Sequence, residues 1–359
     1  MQSRIDYLDG LRGIAILLVL GFHAYARWPD HVPFGDEFAE FPLFSYGWLG
    51  VQLFFLISGF VIFMTLDKTP SFAVFMGKRF LRLFPAMLIA SVLVYLTASF
   101  LPHRPVGAPS LIHLLPGLTF IEPDWWSFVL GQELRAIEGA FWSLFVEFKF
   151  YVIAGAVYFT LGRRVLIPAL LVLYVAFLVI HQLYTRFDVP LFAGLLEVTS
   201  VLSLEYFGWF ASGALFYQYH HTQEGRYFIA GLCVAYISSF ALFGITPAVA
   251  TMLMISTLFA LSLKVDVIQR VLSFRVFMFF GLVSYPLYLI HENAMISMMV
   301  QMPPNIFGIP LFFYPWIVIG FLSVIAFGIA VKGEYWVRGW IKALFGIGRV
   351  PLNKKSKVV

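Results

Sequence analysis

The sequence predicts an all-α, polytopic membrane helix bundle of about ten transmembrane helices, with both termini in the cytoplasm. Three observations predict it. The 359 residues are 61% hydrophobic and only 12% charged, about half the charge of an ordinary soluble domain. The apolar residues fall into many separate runs near 20 residues long, the length of helix that crosses roughly 30 Å of hydrocarbon. The Lys and Arg residues sort to one side of the implied membrane. The 41 Phe and 9 Trp suit lipid contact and interfacial belts.

Apolar runs bounded by charged, Pro and Gly breaks place the spans at 12–28, 46–66, 83–101, 142–162, 165–183, 199–217, 227–244, 248–264, 276–297 and 310–331. The stretch from Leu111 to Leu130 is mildly apolar but carries Pro116, Glu122, Pro123 and Asp124. It reads as a loop or re-entrant element with Trp125 and Trp126 at the interface, and that choice fixes the parity of every later span. Positive-inside sorting supports the parity: of 24 Lys and Arg, only Arg27, Arg104, Arg135 and Arg186 fall on the outer side, and Lys149 lies within a span. Residues 1–332 form one transmembrane domain, and 333–359 a short basic tail along the anionic inner surface. The stretch before the first run carries Asp6 and Asp9 and no small-residue cleavage site follows it, so the first span is expected to be retained.

The single cysteine, Cys233, lies inside a span, so no intrachain disulfide forms and redox compartment stays open. No basic segment interleaves with aromatics outside the spans, which argues against nucleic acid. No repeat of 20–50 residues and no inverted pair of interrupted helices points to a transporter. No histidine pair has the spacing of a zinc site, and Walker, GxGxxG and GxSxG patterns are absent. His31, His103, His113, His181, His220 and His221 fall in loops or at span ends and read as solvated.

Ionisable side chains within a bilayer core cost on the order of 3 kcal/mol each, so each asks for a reason. Five stand out: His23, Glu147, Lys149, His291 and Glu292. Arg12 and His23 are eleven residues apart, three turns at 100° per residue, so one stripe of the first span carries an anion-binding group at its mouth and a base roughly 16 Å deeper. Arg79 and Arg82 share a helical face at i, i+3 with Lys78 beside them, and guanidinium forks suit phosphates. The plainer reading of that cluster is a basic interfacial loop. Ser143, Glu147 and Tyr151 share a face at successive i+4 steps, with Lys149 nearly opposite in a structural role. Ser284, Tyr288 and His291 form a polar stripe on the ninth span, which Pro286 is expected to kink. Gln52 and Gly59 share a face suited to close helix packing.

The strings YLDGLRGIAILLVLGFH, GWLGVQLFFLISGFVI, FMGKRFLRLFPA, FWSLFVEFKFY and SYPLYLIHE, in this order over residues 6–332, together resemble the acyltransferase 3 family of membrane acyltransferases, which modify bacterial surface polysaccharides and some small molecules. The resemblance implies ten spans and a cytoplasmic acyl-CoA (acetyl-CoA) donor. It carries the family's Arg-x10-His element onto Arg12 and His23, its RxxR element onto Arg79 and Arg82, and its WSLxxE element onto Glu147. Gln52 stands where relatives often have an acid, and the chain is expected to work without the esterase-like C-terminal domain that some relatives carry.

On this reading Arg12, Arg79 and Arg82 hold the donor's phosphates, His23 is the general base and Glu147 orients it or stabilises its protonated form. His291 polarises the thioester carbonyl or assists the leaving thiolate, aided by a hydrogen bond from Tyr288, and no metal takes part. The acceptor is a carbohydrate hydroxyl, as on a lipid-linked or growing glycan, approaching from outside the inner membrane. The rival readings are a transporter or flippase whose buried charges relay protons, and an acyltransferase with a non-carbohydrate acceptor.

Overall fold

The computed structural model describes residues 5–344 apart from 188, 304 and 307; of the predicted basic tail, everything after Leu344 lies outside the described residues, as does Arg4. The described residues form helices and no strand, as hydrocarbon requires of a non-barrel chain whose backbone groups must bond within each segment. The principal helices are α1 Asp6–Tyr25, α2 Gly50–Leu66, α3 Phe72–Thr97, α4 Trp142–Leu161, α5 Arg163–Phe187, α6 Phe207–Thr222, α7 Gly225–Phe243, α8 Pro247–Ser262, α9 Arg275–Ile290, α10 Glu292–Gln301, α11 Tyr314–Gly328 and α12 Glu334–Leu344.

Among the described residues seven helical stretches are long and apolar enough to cross a bilayer, and nine when each of two bent pairs counts once. The pairs are Pro190–Val201 with Leu204–Thr222, bent by 67°, and Pro247–Ser262 with Asp266–Leu272, bent by 106°. The ten predicted spans each meet a helix, but length and composition do not reach ten: α9 has 16 residues and stops at His291. The predicted kink is displaced too, since α9 runs past Pro286 and the chain bends at His291, where α10 begins. Leu111 to Leu130 yields two short helices, Leu114–Thr119 and Pro123–Leu130, too short to span. Gly162, with φ of +93°, supplies the left-handed turn between α4 and α5. Large apolar side chains such as Val172, Ile229, Phe321 and Val324 are more than half exposed along the spans, the surface expected to face lipid.

Small residues set the closest contacts. A Cβ on Gly59 would lie 2.1 Å from the carbonyl oxygen of Phe210, and one on Gly213 would lie 2.1 Å from that of Leu56; α2 and α6 therefore touch backbone to backbone. The same device joins α1 to α9, where a Cβ on Gly13 would meet the Phe277 carbonyl oxygen at 2.1 Å and one on Gly281 that of Asp9 at 2.0 Å. These contacts bring the polar stripe of α9 against α1. The last helix continues from α11 through a π-helical segment, Ile329–Gly333, into α12, so the place assigned to the tail boundary is a continuous helix. Along α12, Tyr335, Trp336, Trp340 and Leu344 are exposed, whereas Glu334 and Ile341 are buried.

Candidate active site

The three arginines singled out in the sequence converge. Arg12 on α1 and Arg79 and Arg82 on α3 line a cavity of about 580 Å³ that also takes in Lys78, Arg338 and Lys342. The same three, with Val61, line a narrower cavity of about 120 Å³ that runs inward to Ser143, Glu147, Tyr151, Tyr285 and Tyr288. A basic mouth thus leads into a polar channel between α1, α2, α3, α4 and α9, and an i, i+3 pair suffices to aim two guanidinium groups at it.

Among the described residues their charges are only partly neutralised. Arg12 Nη1 donates to Asp9 Oδ1 at 2.6 Å. Arg82 lies 3.6 Å from Glu334 Oε2, a carboxylate that also accepts from Arg338. Arg79 donates from Nη2 to Thr65 Oγ1 at 2.8 Å, its Nε is buried without a hydrogen-bond partner, and it forms no ion pair among the described residues. A buried guanidinium donor that the protein leaves unsatisfied is suited to an anionic group brought from outside.

Ser143, Glu147 and Tyr151 share the predicted face. Glu147 Oε1 accepts from Ser58 Oγ at 2.6 Å and from Tyr151 OH at 2.5 Å. It forms no contact with His23, so the expected pairing of these two residues is corrected: Glu147 belongs to the channel wall. Lys149 points the other way and donates to Glu122 Oε1 and the Val201 carbonyl oxygen, each at 2.8 Å, the structural role expected of it.

His23 lies at the far end of α1, against the bend between α9 and α10. Its Nδ1 is 2.9 Å from the Val19 carbonyl oxygen and 3.3 Å from His291 Nε2, and the two rings meet edge to face with centroids 4.8 Å apart. His291 Nδ1 is 2.9 Å from the Tyr288 carbonyl oxygen. The carboxylate beside His23 is Glu292, whose Oε1 is 3.7 Å from His23 Nε2, while its Oε2 accepts the Ala140 amide at 2.6 Å. Gly139 is what admits this carboxylate, because a Cβ there would sit 2.9 Å from Oε1.

The Gly139–Ala140 backbone separates the two halves of the site. The Ala140 amide serves Glu292, and its carbonyl oxygen accepts from Tyr288 OH at 2.8 Å on the channel side. Ser143 Oγ stands 2.8 Å from the same Tyr288 hydroxyl. Tyr288 and Ser143 line the channel, while His23 and His291 lie just beyond it, with the Tyr288 and His291 rings 5.5 Å apart. Every predicted site residue therefore falls in one connected region.

Sequence reasoning missed the buried polar frame around the bend. Glu138 accepts from Arg104 Nη2 at 3.2 Å and from Asn293 through its amide at 3.0 Å and Nδ2 at 2.7 Å. Asn293 Oδ1 accepts the Val106 amide at 3.0 Å. Burial and nearby Glu292 push the Glu138 carboxyl up to about 8, against three donors that favour the carboxylate. Arg104 carried one signal, being among the few arginines on the side that avoids them. Nothing in the sequence ties Glu138 to Asn293, 155 residues away.

Fold and site define a multi-pass membrane protein with a basic mouth, a channel that ends at Tyr288 and Ser143, and a buried histidine pair with its carboxylate beside that end. The chain belongs to the acyltransferase domain family, whose model matches residues 5–332. It is similar to an O-acetyl transferase of Shigella phage Sf6, 30% identical over 163 residues, covering 43% of this chain and 46% of the relative. A Rhizobium radiobacter protein described as protein 2 in the picA locus is 32% identical over 183 residues, 45% of this chain and 84% of the relative. A peptidoglycan O-acetyltransferase of Listeria monocytogenes is 27% identical over 190 residues, 47% of this chain and 26% of the relative. The match thus spans less than half of the phage relative and about a quarter of the Listeria one. No solved structure matches the chain.

Proposed function

We propose that this protein is a membrane O-acyltransferase that moves an acetyl or other short acyl group from acyl-CoA in the cytoplasm to a carbohydrate hydroxyl. One observation carries the reading: Arg12, Arg79 and Arg82 line both the wide mouth and the narrow channel that ends at Tyr288 and Ser143. A donor with phosphates at one end and a thioester on a long arm matches that sequence of surfaces. The names of the phage and Listeria relatives favour an acetyl group and a glycan acceptor such as peptidoglycan or another surface polysaccharide, presented as a growing or lipid-linked chain. In this reading the chain crosses the inner membrane ten times, with both termini cytoplasmic, residues 1–332 forming the catalytic domain and 333–359 a basic tail.

The acceptor hydroxyl oxygen forms a bond to the thioester carbonyl carbon and gives its proton to His23 Nε2; the carbon–sulfur bond breaks, and the departing thiolate takes that proton from His23. The carbonyl oxygen, negative in transit, is stabilised by Tyr288 or Ser143, which border the channel end. His23→Ala is expected to keep donor binding in reconstituted vesicles and to lose transfer of radiolabelled acetyl from acetyl-CoA to glycan by 10²-fold or more. Movement of an unmodified solute with no thioester turnover by the wild type would favour a transporter instead.

A further inference from the structure

Resting on that reading, we infer that Glu292 is the positioning acid of His23, acting with His291, which fixes the tautomer of the base. Two carbonyl groups, which only accept hydrogen bonds, set the tautomers of the two histidines. The Tyr288 carbonyl oxygen faces His291 Nδ1 at 2.9 Å, so that nitrogen carries the hydrogen and neutral His291 presents Nε2 as an acceptor. The Val19 carbonyl oxygen faces His23 Nδ1 at 2.9 Å, so the hydrogen of His23 is on Nδ1 as well, shared between Val19 and His291 Nε2 at 3.3 Å. The lone pair of His23 is thereby assigned to Nε2, whose neighbour is Glu292 Oε1 at 3.7 Å. That distance exceeds a direct hydrogen bond. A hydroxyl approaching from the side can reach both atoms.

The carboxylate is held where the charge will appear. Its second oxygen is fixed by the Ala140 amide at 2.6 Å, the absent side chain of Gly139 makes the approach possible, and Glu292 occupies the N-terminus of α10, where the helix dipole favours an anion. When His23 Nε2 takes the acceptor's proton, the new imidazolium stands beside an anion that needs no rearrangement. Among the described residues the other titratable groups facing His23 are His291 from the bend and Arg27 beyond the end of α1. Neither carries a negative charge at neutral pH, so among the described residues Glu292 supplies the counter-charge; Glu138, which interacts with Glu292, is itself paired with Arg104. Glu147, engaged with Ser58 and Tyr151 on the channel side, is free of this duty.

The test compares kcat for acetyl transfer as a function of pH in wild type, Glu292→Gln, Glu292→Asp and His23→Ala. A glutamine keeps an acceptor for the Ala140 amide and removes only the charge. Glu292→Gln is expected to lower kcat by ten- to a hundredfold, to leave KM for acetyl-CoA within about twofold, and to shift the acidic limb of the pH profile down by about one unit. Glu292→Asp is expected to return the limb toward wild type. A merely structural carboxylate would leave the limb in place. The inference is overturned, with the acyltransferase reading intact, if His23→Ala is inactive while Glu292→Gln keeps the wild-type kcat and limb. It is overturned equally if aspartate behaves as glutamine does. Wild-type transfer by His23→Ala would remove His23 as the base and this inference with it, while the chain would remain an acyltransferase.

Discussion

Arg79 shows how a single side chain is committed to a ligand by what the protein withholds from it. Asp9 and Glu334 serve Arg12 and Arg82, but among the described residues Arg79 has only a threonine hydroxyl and aromatic faces, with its guanidinium carbon 5.8 Å from the rings of Phe75 and Tyr151. A hydrogen bond to a charged group is worth about 1.5–3 kcal/mol, so Arg79→Ala should raise KM for acetyl-CoA by roughly ten- to a hundredfold with kcat less affected. Lysine should restore only part of this, because an ammonium is a point charge without the fork. Initial-rate kinetics check it, and an unchanged KM in Arg79→Ala would remove this residue from the donor site. The same residue scale explains Arg104 and Glu138: their buried pair is completed by Asn293, so removing one partner leaves an uncompensated charge.

At the scale of elements, the glycine contacts decide how closely helices approach and therefore whether the polar stripes meet. Gly59 and Gly77 make opposite predictions. Alanine at Gly59 would drive its methyl into the Phe210 backbone, and overpacking of this kind costs about 1–3 kcal/mol. Alanine at Gly77, on α3, meets nothing within 4 Å and should gain up to about 1 kcal/mol of helix propensity. Thermal unfolding in detergent should lower the midpoint for Gly59→Ala and hold or raise it for Gly77→Ala; the same change in both would refute the packing account. The bend at His291 matters equally, because an uninterrupted helix would carry Glu292 about 100° further around the axis from His291 and away from the shared focus on His23.

Over the whole molecule, the distribution of Lys and Arg predicts a fixed orientation. With Cys233 replaced by serine, single cysteines at Lys68 and Gly107 should differ in labelling by a membrane-impermeant maleimide on intact spheroplasts. Gly107→Cys should label directly, and Lys68→Cys only after permeabilisation. Labelling of Lys68→Cys from outside, with Gly107→Cys labelled only after permeabilisation, would reverse the assigned topology and put the basic mouth on the wrong side for a cytoplasmic donor. Both cysteine positions are in loops, so the substitutions leave the channel lining unchanged.

Much of this was legible in one dimension because it depends on period and composition. Apolar run length located the helices, and the i, i+3, i+4 and i+11 spacings placed Arg12 with His23, Arg79 with Arg82, and Ser143 with Glu147 and Tyr151, since a helix maps spacing onto face. What spacing along one helix lacks is any account of which face meets which. Tertiary packing decided that Glu147 stays with Ser58 and Tyr151, that Glu292 takes the place beside His23, and that Arg104, Glu138 and Asn293 close over the bend. The sequence by itself determined a helical membrane bundle and most of the residues proposed to act in it; the structure decided their partners. The reason is physical: a carboxylate pairs by distance in space, and the 268 residues between His23 and His291 are crossed only by the packing of α1 against α9.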